Sequence, residues 1–238
     1  METHSNYRDC LASLRHELGD SHTFDYVEGT IPYPIDPAVA PYFPEESDEG
    51  YAYFDPSQPA TYSTALEQLE AFLVTEGPFD AILAFSHGAQ LAASFLIERG
   101  RSAASSSSSS SPAGARSIRC AIFLSGGIPY QWSPSSAAVA TLPDVGELTP
   151  IAEAEREGVA APSALPVLLQ LPTAHIWGQN DTRYPGTSVV LSRLCKPEWR
   201  AVFVHEGGHE IPGSRSRASL LGAVGAIRQV LHLAITLH

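Results

Sequence analysis

Three short motifs carry the residue types needed for nucleophilic attack on an acyl group. Ser86 lies in the pentapeptide Ala-Phe-Ser-His-Gly, which differs from the G-x-S-x-G nucleophile pattern only at its first position. Asp181 and His209 follow in chain order, each after a later apolar run. A serine hydroxyl becomes a nucleophile when a histidine accepts its proton and a carboxylate orients that histidine. The pattern therefore predicts a catalytic triad of Ser86, His209 and Asp181.

The residues around Ser86 also predict where negative charge would be stabilised. A buried-strand pattern precedes the serine and a helical pattern follows it, which is typical of a strained strand-to-helix turn. In such a turn the backbone amide of His87 and the positive end of the helix face the developing oxyanion. Ala84 and Gly88 are small enough for the turn to close. A buried serine at a strand end has the same pattern, so the interpretation depends on the two partner motifs.

The segment 205–209 offers a competing interpretation, because it reads His-Glu-Gly-Gly-His, the spacing of a zinc metallopeptidase site. That chemistry needs both histidines on one face of a helix. Two glycines cost a helix roughly 1 kcal/mol each relative to alanine. The preceding run AVFV has strand character, and Pro212 follows closely. We therefore expect a strand and a turn here, with no metal site and no cofactor.

The elements that must position these residues follow an alternating pattern. Short apolar runs alternate with amphipathic helical stretches, which predicts an α/β fold with a mostly parallel sheet flanked by helices. Each triad residue follows a predicted strand at its carboxyl end, where open α/β sheets place their sites. The order Ser, Asp, His is that of the α/β-hydrolase fold. The predicted strands are 24–28, 79–86, 118–127, 173–178 and 200–207, and the predicted helices are 6–18, one starting near Thr64, 87–98, 187–195 and 216–235.

Length and composition favour one acidic enzyme domain spanning residues 1–238. The net charge of −12 argues against nucleic-acid and anionic-membrane partners, which need clustered Lys and Arg. Three scattered cysteines suit reduced thiols better than a disulfide framework. We see no signal-peptide pattern and no apolar stretch of the roughly 18–20 residues that a membrane span needs. The expected location is therefore cytoplasmic.

Two segments interrupt the alternating pattern. Residues 101–117 contain seven consecutive serines and read as a low-complexity surface insertion. Residues 129–170 are rich in Pro, Ala and Ser, and one helical piece is predicted around 151–157. Segments of that length often cover an active site, so we expect 129–170 to be a lid.

At this point the chain resembles the fungal serine-hydrolase family that includes the yeast family of serine hydrolases and the lovastatin polyketide thioesterase. The resemblance covers most of the chain outside the serine run and 130–170. It implies that Ser86 is the nucleophile, Asp181 the acid and His209 the base. The stretches that carry it are GPFDAILAFSHGAQLAA (77–93), IRCAIFLSGGIP (118–129), HIWGQNDTRYPGTSVVLSRLC (175–195) and HEGGHEIP (205–212).

The resemblance departs at the front of the chain. Members begin with an apolar strand ending in His-Gly, whose following loop supplies the second oxyanion donor. That strand lies between the strand predicted at 24–28 and the serine strand, and it is missing here, so we expect a sheet that lacks its first strand. Two interpretations stay open: Met1 is an internal methionine of a longer coding sequence, or the product is a truncated enzyme of low or no activity.

The resemblance also implies a function. Members in secondary metabolism cleave acyl esters or thioesters, including polyketides bound to their synthase, so the expected partner is such a small-molecule or carrier-bound acyl substrate. The alternative is a non-catalytic hydrolase-like binding protein. A set of aromatic side chains in the early loop either lines an apolar acyl pocket or anchors the loop: Tyr33, Tyr42, Phe43, Tyr51, Tyr53 and Phe54.

Overall fold

The computed structural model describes residues 4–34, 49–105, 118–132, 139–141 and 167–237. Its helices are α1 (His4–Leu18), α2 (Pro59–Thr75), α3 (Ser86–Ser105), α4 (Thr187–Arg193) and α5 (Arg217–Thr236). Its strands are β1 (Ile31–Pro34), β2 (Glu49–Ala52), β3 (Ala81–Phe85), β4 (Cys120–Leu124), β5 (Tyr130–Trp132), β6 (Val139–Thr141), β7 (Thr173–Gly178) and β8 (Arg200–His205).

A parallel sheet in the order β3-β4-β7-β8 forms the centre of the described structure. All five residues of β4 are buried, as expected for a parallel strand covered on both faces. Side chains alternate between the faces, so Ile122 packs with α1 and α5, whereas Phe123 packs with α3 and α4. The predicted mostly parallel sheet flanked by helices is confirmed, and its carboxyl edge collects the ends of all four strands.

Several predicted elements differ in the structure. Residues 24–28 form no strand, because among the described residues β3 has a strand neighbour on one side only and nothing pairs with 24–28. The helix predicted to start near Thr64 begins at Pro59, where the missing amide of proline suits a first turn. The helix after Ser86 continues to Ser105 instead of ending near Glu98, so it includes the first residues assigned to the serine-rich insertion.

The structure describes only part of the predicted lid segment, 129–170. β5 and β6 pair antiparallel inside the segment 129–170, and neither strand was predicted. The helical piece expected around 151–157 and most of the insertion at 101–117 lie outside the described residues. A second antiparallel strand pair that was not predicted is formed by β1 and β2 in the early aromatic loop.

A cavity of about 1560 Å³ opens along the outer edge of β3. Its walls include residues 21–29 on one side and β3 with the start of α3 on another. Phe24 and Tyr26 pack partly against the cluster that α1 and α5 form with the sheet. The cavity therefore occupies the place where the family resemblance predicts a first strand, between 24–28 and the serine strand.

The C-terminal helix corrects one expectation from the sequence. By length and composition α5 is apolar enough to cross a membrane, with a mean hydropathy of 1.5 over its best window. Of that window, 44% is buried inside the protein. Its buried face packs on α1 and the sheet, as the core helix of a folded domain does: Leu220, Ala223, Val224, Ile227 and Val230.

Candidate active site

The junction of β3 and α3 places Ser86 at a strained turn. Ser86 is the first residue of α3 and has a φ of +50°, which few residues other than glycine adopt. The methyl group of Ala84 is buried against α3 and β4, so the departure from glycine at this position is accommodated. A Cβ at Gly88 would lie 3.3 Å from the ring of Tyr53. The strain and the tight packing hold the serine hydroxyl at the carboxyl edge of the sheet.

Ser86, His209 and Asp181 are joined by two short hydrogen bonds. Nε2 of His209 lies 2.8 Å from Oγ of Ser86, and Nδ1 of His209 lies 2.7 Å from Oδ2 of Asp181. The side chains of His209 and Asp181 are only 14% and 8% exposed. With the imidazole proton on Nδ1, that N–H group donates a hydrogen bond to the carboxylate, and Nε2 is free to accept the serine proton.

The backbone fixes the second oxygen of Asp181. Its Oδ1 accepts hydrogen bonds from the amides of Arg183 and Tyr184, at 3.1 and 3.0 Å. The carboxylate is thus held from both sides, with one oxygen on its own loop and the other on His209. Asp181 therefore closes the turn with one carboxylate oxygen and contacts the histidine with the other.

The loops that carry Asp181 and His209 are bonded to each other. The amide of Gln179 donates to the carbonyl of His205 at 2.8 Å, and the amide of Asn180 donates to the carbonyl of Gly207 at 3.0 Å. A Cβ at Gly178 would overlap the carbonyl oxygens of Gly207 and Gly208. Glycine at 178 therefore lets the base loop lie directly against the end of β7.

His87 follows the serine and has a partly buried side chain. Its ring packs on Phe54 with centroids 4.4 Å apart, and burial lowers its pKa to about 4. The amide of His87 lies in the first turn of α3, where helix amides have no partner within the helix. That position suits an oxyanion donor, and the role of the amide stays a prediction.

All three residues of the Ser86–His209–Asp181 arrangement line the cavity along β3. Four of the six predicted aromatic residues line it as well: Tyr33, Tyr51, Tyr53 and Phe54. Tyr42 and Phe43 lie outside the described residues. The hydroxyl of Tyr53 donates to the carbonyl of Val27 at 3.0 Å, and Phe54 is fully buried. These two residues therefore anchor the loop and form part of the cavity wall.

Sequence reasoning missed three residues beside the nucleophile and base. The rings of Phe85 and Tyr184 contact the imidazole of His209. Ser125 follows β4 as Ser86 follows β3, has a φ of +44°, and has a buried hydroxyl without a hydrogen-bond partner in the described structure. The available signal for Ser125 was its position directly after a buried strand.

The segment that resembles a zinc motif is the end of β8 followed by a turn. Both ring nitrogens of His209 are engaged by Ser86 and Asp181, and Nδ1 of His205 accepts a hydrogen bond from the amide of Gly207. The two histidines thus have separate partners, and the strand-and-turn prediction is confirmed.

Comparison with known proteins identifies the relatives of this chain. The family described as "Serine hydrolase (FSH1)" matches residues 1–219. The chain belongs to this FSH1 serine hydrolase family. It is therefore an enzyme of the serine hydrolase class with an α/β-hydrolase fold, as the resemblance in its motifs implied.

Curated relatives of this FSH1 family member are fungal hydrolases. Esterase FPY3 of Fusarium mangiferae is 34% identical over 84% of this chain and 79% of its own length. Hydrolase phiM of a fungal species is 31% identical over 79% of this chain and 71% of its own length. Esterase FUS5 of Gibberella moniliformis is 24% identical over 86% of this chain and 72% of its own length.

Proposed function

We propose that this FSH1-family hydrolase cleaves an ester or acyl thioester through a triad of Ser86, His209 and Asp181. The observation that carries the proposal is the continuous chain of hydrogen bonds from serine to histidine to aspartate, at 2.8 and 2.7 Å, on the wall of a large cavity. A serine with a general base and an orienting acid performs acyl transfer without a cofactor.

In the first half of the reaction, Nε2 of His209 takes the hydroxyl proton as Oγ of Ser86 attacks the acyl carbonyl carbon. The carbonyl π pair moves to oxygen, and the amide of His87 with the N-terminus of α3 stabilises that oxyanion. Asp181 stabilises the imidazolium. When the carbonyl reforms, the leaving alcohol or thiol departs with the proton from Nε2, and an acyl-enzyme remains.

In the second half, water replaces the leaving group. His209 takes one proton of a water molecule as the water oxygen attacks the acyl-enzyme carbonyl. Collapse of the second tetrahedral intermediate returns the proton to Oγ of Ser86 and releases the carboxylic acid. The net reaction is hydrolysis, and the enzyme returns to its starting protonation state.

The cavity supports an apolar acyl substrate. Aromatic side chains from the early loop and from β5 line it together with the three triad residues, and apolar and aromatic linings are typical of small-molecule sites. We infer that the substrate is a polyketide-like ester or thioester of fungal secondary metabolism, free or bound to a carrier domain, since the relatives are fungal esterases and hydrolases. The two described free cysteines are buried thiols, which supports a reducing, cytoplasmic location.

One observation favours a second candidate, a non-catalytic hydrolase-like protein that binds an acyl compound or a partner. The outer edge of β3 has no strand neighbour among the described residues. Oxyanion stabilisation would then come from the N-terminus of α3, which begins at Ser86. Loss of one oxyanion donor costs roughly 10²–10³ in turnover.

A fluorophosphonate probe tests the proposal, because it labels only a serine that a base has activated. We expect labelling of the purified wild type, no labelling of Ser86→Ala, and full labelling of Ser192→Ala, whose hydroxyl donates to the carbonyl of Val189 within α4. Folded wild type that does not react would support the binding protein instead. Paired ester and thioester substrates with the same acyl group then distinguish the two leaving groups by their kcat/KM.

A further inference from the structure

The first histidine of the zinc-like motif has no role in the proposed reaction. His205 is the last residue of β8, and only 3% of its surface is exposed. Its Nε2 is buried and has no hydrogen-bond partner among the described residues. Burying a polar ring next to an active-site loop costs free energy unless hydrogen bonds offset that cost. The hydrogen bond that His205 makes is to the turn that directly follows it.

Nδ1 of His205 accepts a hydrogen bond from the amide of Gly207 at 3.1 Å. The carbonyl of the same Gly207 accepts from the amide of Asn180 at 3.0 Å. The peptide groups on both sides of Gly207 are thus held, one by β8's own histidine and the other by the loop that carries the acid. Glycine has the greatest backbone freedom of any residue, so two successive glycines need such restraints to keep one conformation.

Gly207 and Gly208 connect His205 directly to His209. The imidazole of His209 must meet Ser86 and Asp181 together, at 2.8 and 2.7 Å. A small rotation about either glycine would move the ring away from one of the two. We propose that His205 is a positioning residue, whose neutral imidazole fixes the glycine turn so that His209 reaches both partners.

The protonation state of His205 fits that role. Burial lowers the pKa of His205, while the carboxylate and the backbone of Glu210 and the carboxylate of Asp181 act in the opposite direction. A neutral ring leaves Nδ1 as an acceptor, with the proton on Nε2. A protonated ring would place an N–H group against the amide of Gly207, and the turn would keep its contacts with Asn180 but lose the restraint from His205.

Two amide substitutions separate positioning from simple packing. His205→Asn places a carbonyl oxygen near the position of Nδ1, whereas His205→Gln carries the same amide one methylene further and leaves the Gly207 amide without its acceptor. His175→Gln is the matched control, because His175 is 1% exposed on the neighbouring strand β7 and its one described ring contact is with Phe123. All three variants lose a buried imidazole.

The readouts are kcat and KM for a p-nitrophenyl ester, thermal unfolding, and the low-field proton NMR resonance of the His209 Nδ1–H bound to Asp181. We expect His205→Gln to lower kcat roughly 10- to 100-fold, since a misplacement of about 1 Å can cost 10²-fold, with little change in KM and a broadened resonance. His205→Asn should retain the resonance and most of kcat. His175→Gln should lower the unfolding temperature and leave kcat near wild type.

The positioning role of His205 depends on the proposed function, but the experiment distinguishes a failure of the positioning role from a failure of the proposed function. Equal kcat and equal resonances for His205→Gln and His205→Asn would overturn the positioning role. Wild-type protein that shows the resonance yet neither hydrolyses esters nor reacts with the fluorophosphonate would overturn the proposed function and leave the NMR comparison to decide the role of His205.

Discussion

The ring of Tyr184 packs edge-on against the imidazole of His209, with centroids 4.9 Å apart and planes inclined by 61°. Phe85 contacts the same imidazole at 5.3 Å. The amide of Tyr184 also donates to Oδ1 of Asp181 at 3.0 Å. One residue thus contacts the base with its side chain and the acid with its backbone, so the orientation of His209 depends on the loop after β7.

Replacing that ring should weaken catalysis moderately. Aromatic pairs contribute about 0.5–1.5 kcal/mol beyond their buried area, which corresponds to roughly 2- to 10-fold in rate. We expect Tyr184→Ala to lower kcat by that factor, because the imidazole gains freedom to rotate. The measurement is steady-state hydrolysis of a p-nitrophenyl ester. Tyr184→Phe keeps the ring and should retain kcat, and an equal loss in both variants would contradict a packing role.

Removing the charge of the acid should have a much larger effect. Asp181→Asn keeps an oxygen that accepts from the amides of Arg183 and Tyr184, so the loop should keep its shape. Its amide N–H₂ group, however, favours the wrong tautomer of His209, and the corresponding change in a serine protease triad lowers kcat by about 10⁴. Kinetics and thermal unfolding on the same preparation provide the test. A loss below about tenfold would exclude Asp181 as the acid.

Buried histidines make folding stability depend on pH. Burial lowers the pKa of His175 to about 3, whereas an unfolded histidine titrates near 6.5. Between these values the unfolded chain binds more protons than the folded one, so stability falls as the pH decreases from about 6.5 toward 3. One such group contributes a slope of roughly 1.4 kcal/mol per pH unit. Urea unfolding at pH 7, 6 and 5 should show a smaller slope for His175→Leu than for wild type.

The sequence was most informative where strands are covered on both faces. The runs at 118–127, 173–178 and 200–207 are apolar and short, and the strands that form there lie within those bounds. Because these strands run parallel to the serine strand β3, Ser86 and Asp181 lie at the same carboxyl edge of the sheet. The distance of 2.8 Å between Ser86 and His209 depends on the positive φ of Ser86 and on the conformation of the two-glycine turn before His209. Tertiary packing sets both, so the sequence pattern did not predict them.

The failed predictions share a different cause. The pattern at 24–28 alternates like a strand, but a strand exists only with a hydrogen-bonded neighbour, and the described structure has a cavity beside β3 instead. The spacing of His205 and His209 also matches a metal motif, and here the two glycines and the preceding strand pattern gave the correct prediction of a turn, in which the first ring bonds the turn and the second bonds Ser86. Local patterns report which residues are apolar or polar; they do not report which partner is present.

The contact between the two active-site loops gives the sharpest test of this geometry. A Cβ at Gly178 would overlap the carbonyl oxygens of Gly207 and Gly208, so Gly178→Ala must displace the base loop from the end of β7. We expect a loss of stability and a fall in kcat, since His209 would lose its contact with Ser86 or Asp181. Gly225→Ala on α5 is the opposite control. A Cβ there would meet no described atom outside its own turn of the helix within 4 Å, and alanine should stabilise the helix by roughly 0.5–1 kcal/mol. Thermal unfolding should show opposite changes in stability for the two variants, and ester hydrolysis should show a lower kcat for Gly178→Ala alone. An unaffected kcat in folded Gly178→Ala would mean that the close approach of the loops does not control the position of His209.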